Sequence, residues 1–192
     1  MEVRKITKQE VNELPLIKYE GKSIVVEDEA GAIEAARFLS QFSLLGFDTE
    51  TKPAFKKGQF FPVALLQLAT PERVYLIRLL QTGLPQAIVD LFEDPKIIIA
   101  GIGIRDDIKD LKKMKDFKPA GFVDLNEKAR ALGFESIGAR NFAGMFMDGR
   151  ISKSQQVSNW ENEELTDAQI SYAATDAWIC IDVYNQMDEL EP

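Results

Sequence analysis

Apolar and polar positions along this chain follow two different periods, and the switches between them mark the elements. KSIVVED, from Lys22, reads as a short strand, and EAGAIEAARFLS after it as a helix with Ile33, Ala36 and Leu39 along one face. SLLGFDTE, FPVALLQLAT and RVYLIRLL follow as three β-rich runs, and the turn-like TPE between the second and third predicts a hairpin. LPQAIVDLFED reads as a short helix closed by Pro95, while KIIIAGIG is the continuous apolar run of a buried strand. Helical patterns then run from Arg105 to Met114, Leu125 to Leu132, Ile137 to Met145, and about Asp167 to Leu190 with Thr166 as N-cap. Strands come first and then one strand with many helices, an order that predicts an α/β domain with a mixed central sheet and helices packed on it. No repeat or linker divides the 192 residues, so the expectation is one domain over residues 23–192 behind a polar arm or loop at 1–22.

Composition removes several kinds of chemistry. The chain has no histidine, which excludes imidazole metal sites, histidine general bases and Ser/His/Asp or Cys/His triads. Its one cysteine, Cys180, lies in an apolar helical pattern and is expected in the core, so neither a disulfide scaffold nor a thiolate zinc site can form within one chain. Apolar runs stay too short to span a bilayer and the start lacks a secretory signal, so the expected protein is soluble and cytoplasmic, with no membrane partner. A formal charge of −8 argues against indiscriminate binding to nucleic acid.

Three segments hold carboxylates where packing is expected. In FDTE, Asp48 and Glu50 sit two apart on a strand and therefore share a face, with Thr49 turned the other way. Alone, such a pair also fits a strand end leaving the core for solvent. In the last helix, Asp176 stands in a row with Tyr172, Ile179 and Val183, whereas Asp182 lies on another face with room for solvent. In GIGIRDDIKDLKKM, Asp107 lines up with Ile104, Leu111 and Met114, and Asp106 with Asp110 and Lys113. Asp107 alone also fits an acidic residue favoured by the positive end of a helix dipole. Four acids gathered in packed positions would repel unless cations neutralised them, and oxygen donors without His or Cys select hard ions such as Mg²⁺ or Mn²⁺.

FDTE, GIGIRDD and YAATDAW, in that order, resemble the three motifs of the DEDD superfamily of 3′-5′ exonucleases, in the branch with tyrosine in the third motif. VALLQLAT and KSQQVSNWENEELTDAQISYAATDAW are similar to the flanking segments of the ribonuclease D and Werner-syndrome helicase exonuclease type, and the likeness covers about residues 23–190. The resemblance implies a ribonuclease H-like fold. It also implies Asp48 and Glu50 as first-motif ligands, Asp107 as the second-motif acid, Asp176 as the third, and Tyr172 as the accompanying tyrosine.

The expectation built on that likeness is hydrolysis of the terminal phosphodiester at the 3′ end of DNA or RNA by a mechanism with two divalent cations, Mg²⁺ or Mn²⁺, giving nucleoside 5′-monophosphates. Asp48 is expected to bridge the ions, Glu50 and Asp176 to hold the one beside the nucleophile, Asp107 to support the second, and Tyr172 to orient the attacking water. Nucleic-acid contacts are expected from Thr49, Lys52, Phe55, Arg105 and Lys153, with Phe60 and Phe61 as further candidates for stacking or for the core. Two other readings stay open: an inactive nucleic-acid-binding module of the same fold, and a ribonuclease H-type endonuclease.

Overall fold

The β-rich runs at 43–80 form the middle of a six-stranded sheet in a computed structural model that describes residues 5–190. The strands are β1 (Lys22–Val26), β2 (Leu44–Thr51), β3 (Val63–Ala69), β4 (Arg73–Arg78), β5 (Ile98–Gly101) and β6 (Phe122–Asp124), in the order β1-β4-β3-β2-β5-β6. β3 runs antiparallel to β2 and β4, and every other pairing is parallel. The predicted TPE hairpin is therefore β3–β4, and the sheet is mixed as the pattern implied.

Eight helices complete the described chain: α1 (Lys8–Glu13), α2 (Glu29–Leu39), α3 (Leu79–Thr82), α4 (Gln86–Glu93), α5 (Arg105–Met114), α6 (Leu125–Ala131), α7 (Ala139–Met147) and α8 (Asp167–Asp188). Alternation along β2 divides them into two layers. Leu45 and Phe47 face a core shared with Leu39 of α2, Phe92 of α4 and Leu111 of α5. Gly46, on the opposite face, meets α8, which also covers Leu65, Ala69, Val74 and Leu76. A strand covered on both faces needs no polar alternation, and each residue of β3 is buried. Thr166 caps α8 through a reciprocal capping box with Gln169, as the sequence pattern predicts. Cys180 is buried on α8.

Several boundaries differ from expectation. The buried stripe of α2 is Ala32, Ala35, Ala36 and Leu39, and Ile33 is 41% exposed. The alanines give α2 a close approach that a bulkier isoleucine would block. Leu79 and Leu80 leave the strand for α3, and α7 starts at Ala139 because Gly138 holds a left-handed φ of 93°. β6, with three half-buried residues, is too short for any period to register. Residues 5–20, read as an arm or loop, hold α1, which a Thr7–Glu10 capping box starts and a buried Val11 fastens to the body. No helix among the described residues is long and apolar enough to cross a membrane.

The layers meet closely at Gly46, where any Cβ would run into the carbonyl oxygen of Ala177 on α8. Gly46→Ala must therefore push β2 and α8 apart, at an expected cost of about 1–3 kcal/mol. Urea unfolding should report that loss, and wild-type stability in the variant would mean that the two elements are not so closely held.

Candidate active site

β2 reaches the site as it leaves the sheet. It pairs with β3 through Asp48↔Gln67, Thr49↔Leu66 and Glu50↔Leu65, and the register then shifts between Glu50 and Thr51. Such an irregularity bends the strand and re-aims its side chains, a device common beside functional sites. Asp48 and Glu50 turn to the α8 face, where Asp176 meets them. Carboxylate oxygens of Asp48, Glu50 and Asp176 all lie within 4.8 Å of one another.

Asp107 arrives from the other layer, in the first turn of α5. It stands outside the trio, and the Thr49 hydroxyl donates to its Oδ1. Thr49, expected at the nucleic acid, is therefore used inside the protein. Tyr172 lies one turn before Asp176 on α8, and its ring lies 6.0 Å from that of the buried Trp160.

Burial and mutual repulsion dominate the electrostatics. Asp48 is held well above the usual carboxylate range, first by burial and then by Asp176 and Asp107. Burial, followed by the charges of Asp48, Asp176 and Asp107, pushes Glu50 up to about 10. Burial raises Asp176 to about 7 against the opposing hydrogen bond from Tyr172. Asp107 is also raised by burial, with Thr49 opposing. The Tyr172 phenol is pushed up by burial and then by Asp176 and Glu50, so it keeps its proton. Lys52 makes its ion pair with Glu161, at 3.0 Å. These oxygens fit a hard divalent cation, which would cancel the repulsion that protons otherwise relieve.

Gln67 adds a feature that sequence reading missed. It is fully buried, sits directly across the ladder from Asp48, and neither its amide nitrogen nor its amide oxygen has a hydrogen-bond partner among the described residues. Opposed residues share a face. A lone glutamine in the apolar run VALLQLA was the available signal.

The other expected contacts are dispersed. Lys52 is half-buried, and its ammonium lies 5.1 Å from the centre of the Phe61 ring. Phe55 and Phe60 do not join the core; they are 81% and 89% exposed on the loop between β2 and β3. Arg105 is exposed at the start of α5, and Lys153 lines a cavity that opens on Tyr172 and Asp176. Asp182, expected toward solvent, is half-buried, and burial raises its pKa.

A family described as 3′-5′ exonuclease matches residues 23–190. The chain is 32% identical over 188 residues to the mouse (Mus musculus) bifunctional 3′-5′ exonuclease/ATP-dependent helicase WRN, covering 92% of this chain and 13% of that protein. Ribonuclease D of Haemophilus influenzae is 28% identical over 167 residues, covering 86% of this chain and 41% of that one. The chain thus spans less than half the length of both. The crystal structure of the Nibbler EXO domain from Aedes aegypti superposes with a TM-score of 0.81 at 22% identity, covering 91% of this chain and 92% of that domain, and the shared fold is ribonuclease H-like.

Two predictions follow from the acids. Glu50 and Asp176 carry folded values of about 10 and about 7 against ordinary values of 4.5 and 3.8, so between those limits the folded protein holds protons that the unfolded chain has released. Their contribution to stability is complete below the lower limits and drains away as pH rises. The chelator-treated protein should melt lower at pH 8.5 than at pH 5.5, and millimolar Mg²⁺ or Mn²⁺ should raise the melting temperature more at pH 8.5; a melt blind to divalent ions would contradict the assignment. Gln67→Leu, which removes an unsatisfied buried amide worth roughly 1–3 kcal/mol, should raise the melting temperature of the metal-free protein and shrink its gain on adding Mg²⁺. Equal gains in variant and wild type would free Gln67 from any part in the site.

Proposed function

Because the chain belongs to the 3′-5′ exonuclease family, we propose that it hydrolyses the 3′-terminal phosphodiester of a DNA or RNA strand and releases nucleoside 5′-monophosphates. The observation that carries this reading is the convergence of Asp48, Glu50 and Asp176 from a strand and a distant helix to within 4.8 Å. Like charges are not driven together in a buried place by folding alone, so the arrangement supports a cation-dependent reaction.

Asp48, Glu50 and Asp176, with Asp107 beside them, would hold two divalent cations, Mg²⁺ or Mn²⁺, whose chemistry when bound is to acidify a water and to offset charge on the phosphate. Asp48 would serve both ions, a reading supported by its closeness to Glu50 and Asp176 and by the charge of Asp107 that it feels. Thr49 fixes the carboxylate of Asp107 through its hydroxyl. Tyr172 acts as a donor and not as a base, because its phenol is held protonated beside Asp176. Its hydroxyl would orient the attacking water against the terminal phosphate. In the net reaction the water's oxygen bonds to phosphorus, the bond from phosphorus to the 3′ oxygen of the penultimate nucleotide breaks, and that oxygen leaves with a proton.

Phe55, exposed on the loop after β2, would stack on a base, as exposed aromatics do with single strands, and Lys153 and Arg105 would meet phosphates. Lys52 contributes less, being tied to Glu161. Two bound divalent cations would also take the formal charge of −8 to about −4, easing the approach of a polyanion.

A 5′-labelled oligonucleotide with Mg²⁺ or Mn²⁺ should shorten as a ladder from its 3′ end; internal cuts would favour an endonuclease, and intact strands an inactive binding module. Asp48→Ala and Asp176→Ala should lower the rate by at least about 100-fold, since even residues behind the ligands of a metal site cost 10–100-fold. Neither should unfold the metal-free protein, because each removes a repelling charge. Tyr172→Phe should lower kcat by roughly 10- to 100-fold while the divalent-induced rise in melting temperature persists. Full activity of Asp176→Ala would overturn the proposal.

A further inference from the structure

The N-terminal segment lies before the residues matched by the exonuclease family, yet it is bound firmly against the body of the protein. Lys5 pairs with Glu135 at 2.6 Å, and Ile6 exchanges two hydrogen bonds with the Ser136 hydroxyl. Arg140 Nη2 donates to Asn12 Oδ1 at 2.6 Å, and Arg150 Nε donates to the carbonyl of Leu14 at 3.0 Å. Backbone bonds join Arg150 to Pro15 and Ile17, and the Tyr19 amide donates to Thr175 Oγ1, one residue before Asp176. Ile6, Val11 and Leu14 close over Gly144 of α7, where a side chain would displace them.

This docking makes α1 one wall of a cavity of about 680 Å³ whose other end is formed by Tyr172 and Asp176. Sites for small molecules and nucleotides fall in the range of about 300–1,000 Å³. Lys8, Arg140 and Lys153 line it, and Asp176 is the one acidic residue among the lining residues. That balance is the reverse of the chain as a whole, where acids outnumber bases by 31 to 23. Neither Lys8 nor Lys153 has a carboxylate partner among the described residues, and the buried Nε of Arg140 has no hydrogen-bond acceptor. The amide end of α7 faces the same space through Gly138 and Ala139, with no side chain capping it. An unsatisfied donor and unpaired cations in the same lining as Tyr172 and Asp176 suit an anionic ligand.

We infer that this cavity takes the sugar-phosphate backbone of a single strand next to the scissile bond, and that α1 supplies part of that subsite through Lys8, with Arg140 as its neighbour from α7. The inference rests on the exonuclease reading for the direction of the strand but on the cavity alone for the phosphate contacts. The segment at 5–20 then belongs to substrate binding, and its removal would weaken binding as well as uncover α7.

The test is binding of a 5′-fluorescein oligo(dT) 12-mer with phosphorothioate terminal linkages, followed by anisotropy as salt is varied. Each phosphate contact on a single strand adds about 0.7 to the slope of log K against log salt. Lys8→Gln, at an exposed position that folding does not need, should reduce the slope by roughly 0.7, and Lys8→Gln with Arg140→Gln by roughly 1.4. Lys8→Arg should restore it, and Lys96→Gln, before β5 at the end of the strands opposite Asp48, should leave it unchanged. An unaltered slope and affinity in both Gln variants, with wild type binding the strand, would overturn the subsite alone; a wild type that binds no strand under any salt condition would sink the exonuclease reading with it.

Discussion

Everything at the centre of this protein depends on how closely β2 and α8 approach. Gly46 is the reason they can: with no side chain, the strand lies directly under the carbonyl of Ala177, and Asp176, one residue earlier, is brought down to the level of Asp48 and Glu50. A separation larger by one methyl group would leave the carboxylates partly solvated and mutually screened. At the observed spacing Asp176 is buried and Asp48 and Glu50 are half-buried, and burial with mutual repulsion lifts the proton affinities of Asp48 and Glu50. Core packing elsewhere in both layers is ordinary, and it sustains this one unfavourable cluster. Such local destabilisation maintained by a well-packed frame is characteristic of functional centres.

Much of this was legible in the chain itself, for an identifiable reason. Strands of five to eight residues and helices of eight or more repeat their period often enough to be read, and β1 to β4, α4, α5 and α8 fell where the pattern put them. Asp107 and Asp176 stood out because each interrupts an apolar helical row, and Asp48 with Glu50 because two like charges share one face at a strand end. What escaped is what one period cannot encode. β6 is too short, and Ile33 was assigned to the buried face because hydrophobicity alone does not reveal that alanines permit the closer approach. Gln67 was passed over because a single polar residue in a strand reads as a minor defect, and only the ladder opposite Asp48 gives it meaning. α1 has a single buried residue, Val11, so its docking lies almost wholly in hydrogen bonds to distant residues that no local window contains.

Charge is the second organising feature. The protein is acidic overall, yet its cations are not evenly spread over the surface near the site. Many lysines are spent on short local pairs, as Lys109 with Asp106 and Lys113 with Asp110 on the solvent face of α5. Exposed pairs of this kind contribute little to stability and little field at a distance. Lys8, Arg140 and Lys153 have no such carboxylate partner in the described residues, and all three face one cavity. A polyanion entering that cavity would therefore meet unpaired cations on the way to Tyr172 and Asp176.

The alternation of one strand end ties these parts together. Asp48 and Glu50 turn toward α8, and Thr49 between them turns toward α5, where its hydroxyl holds Asp107. A single stretch of three residues thus sets the positions of acids on both sides of the sheet, and a shift of β2 by one residue would exchange their faces and break both links at once. β2 is pinned against such a shift from both sides: Phe47 is enclosed among Phe92 and Phe122, and Gly46 is the one residue type that fits beneath Ala177. The register that buries the core is consequently the same register that assembles the site, so mutations in either aromatic or glycine contact act on the chemistry through the strand and not through any contact with the acids themselves.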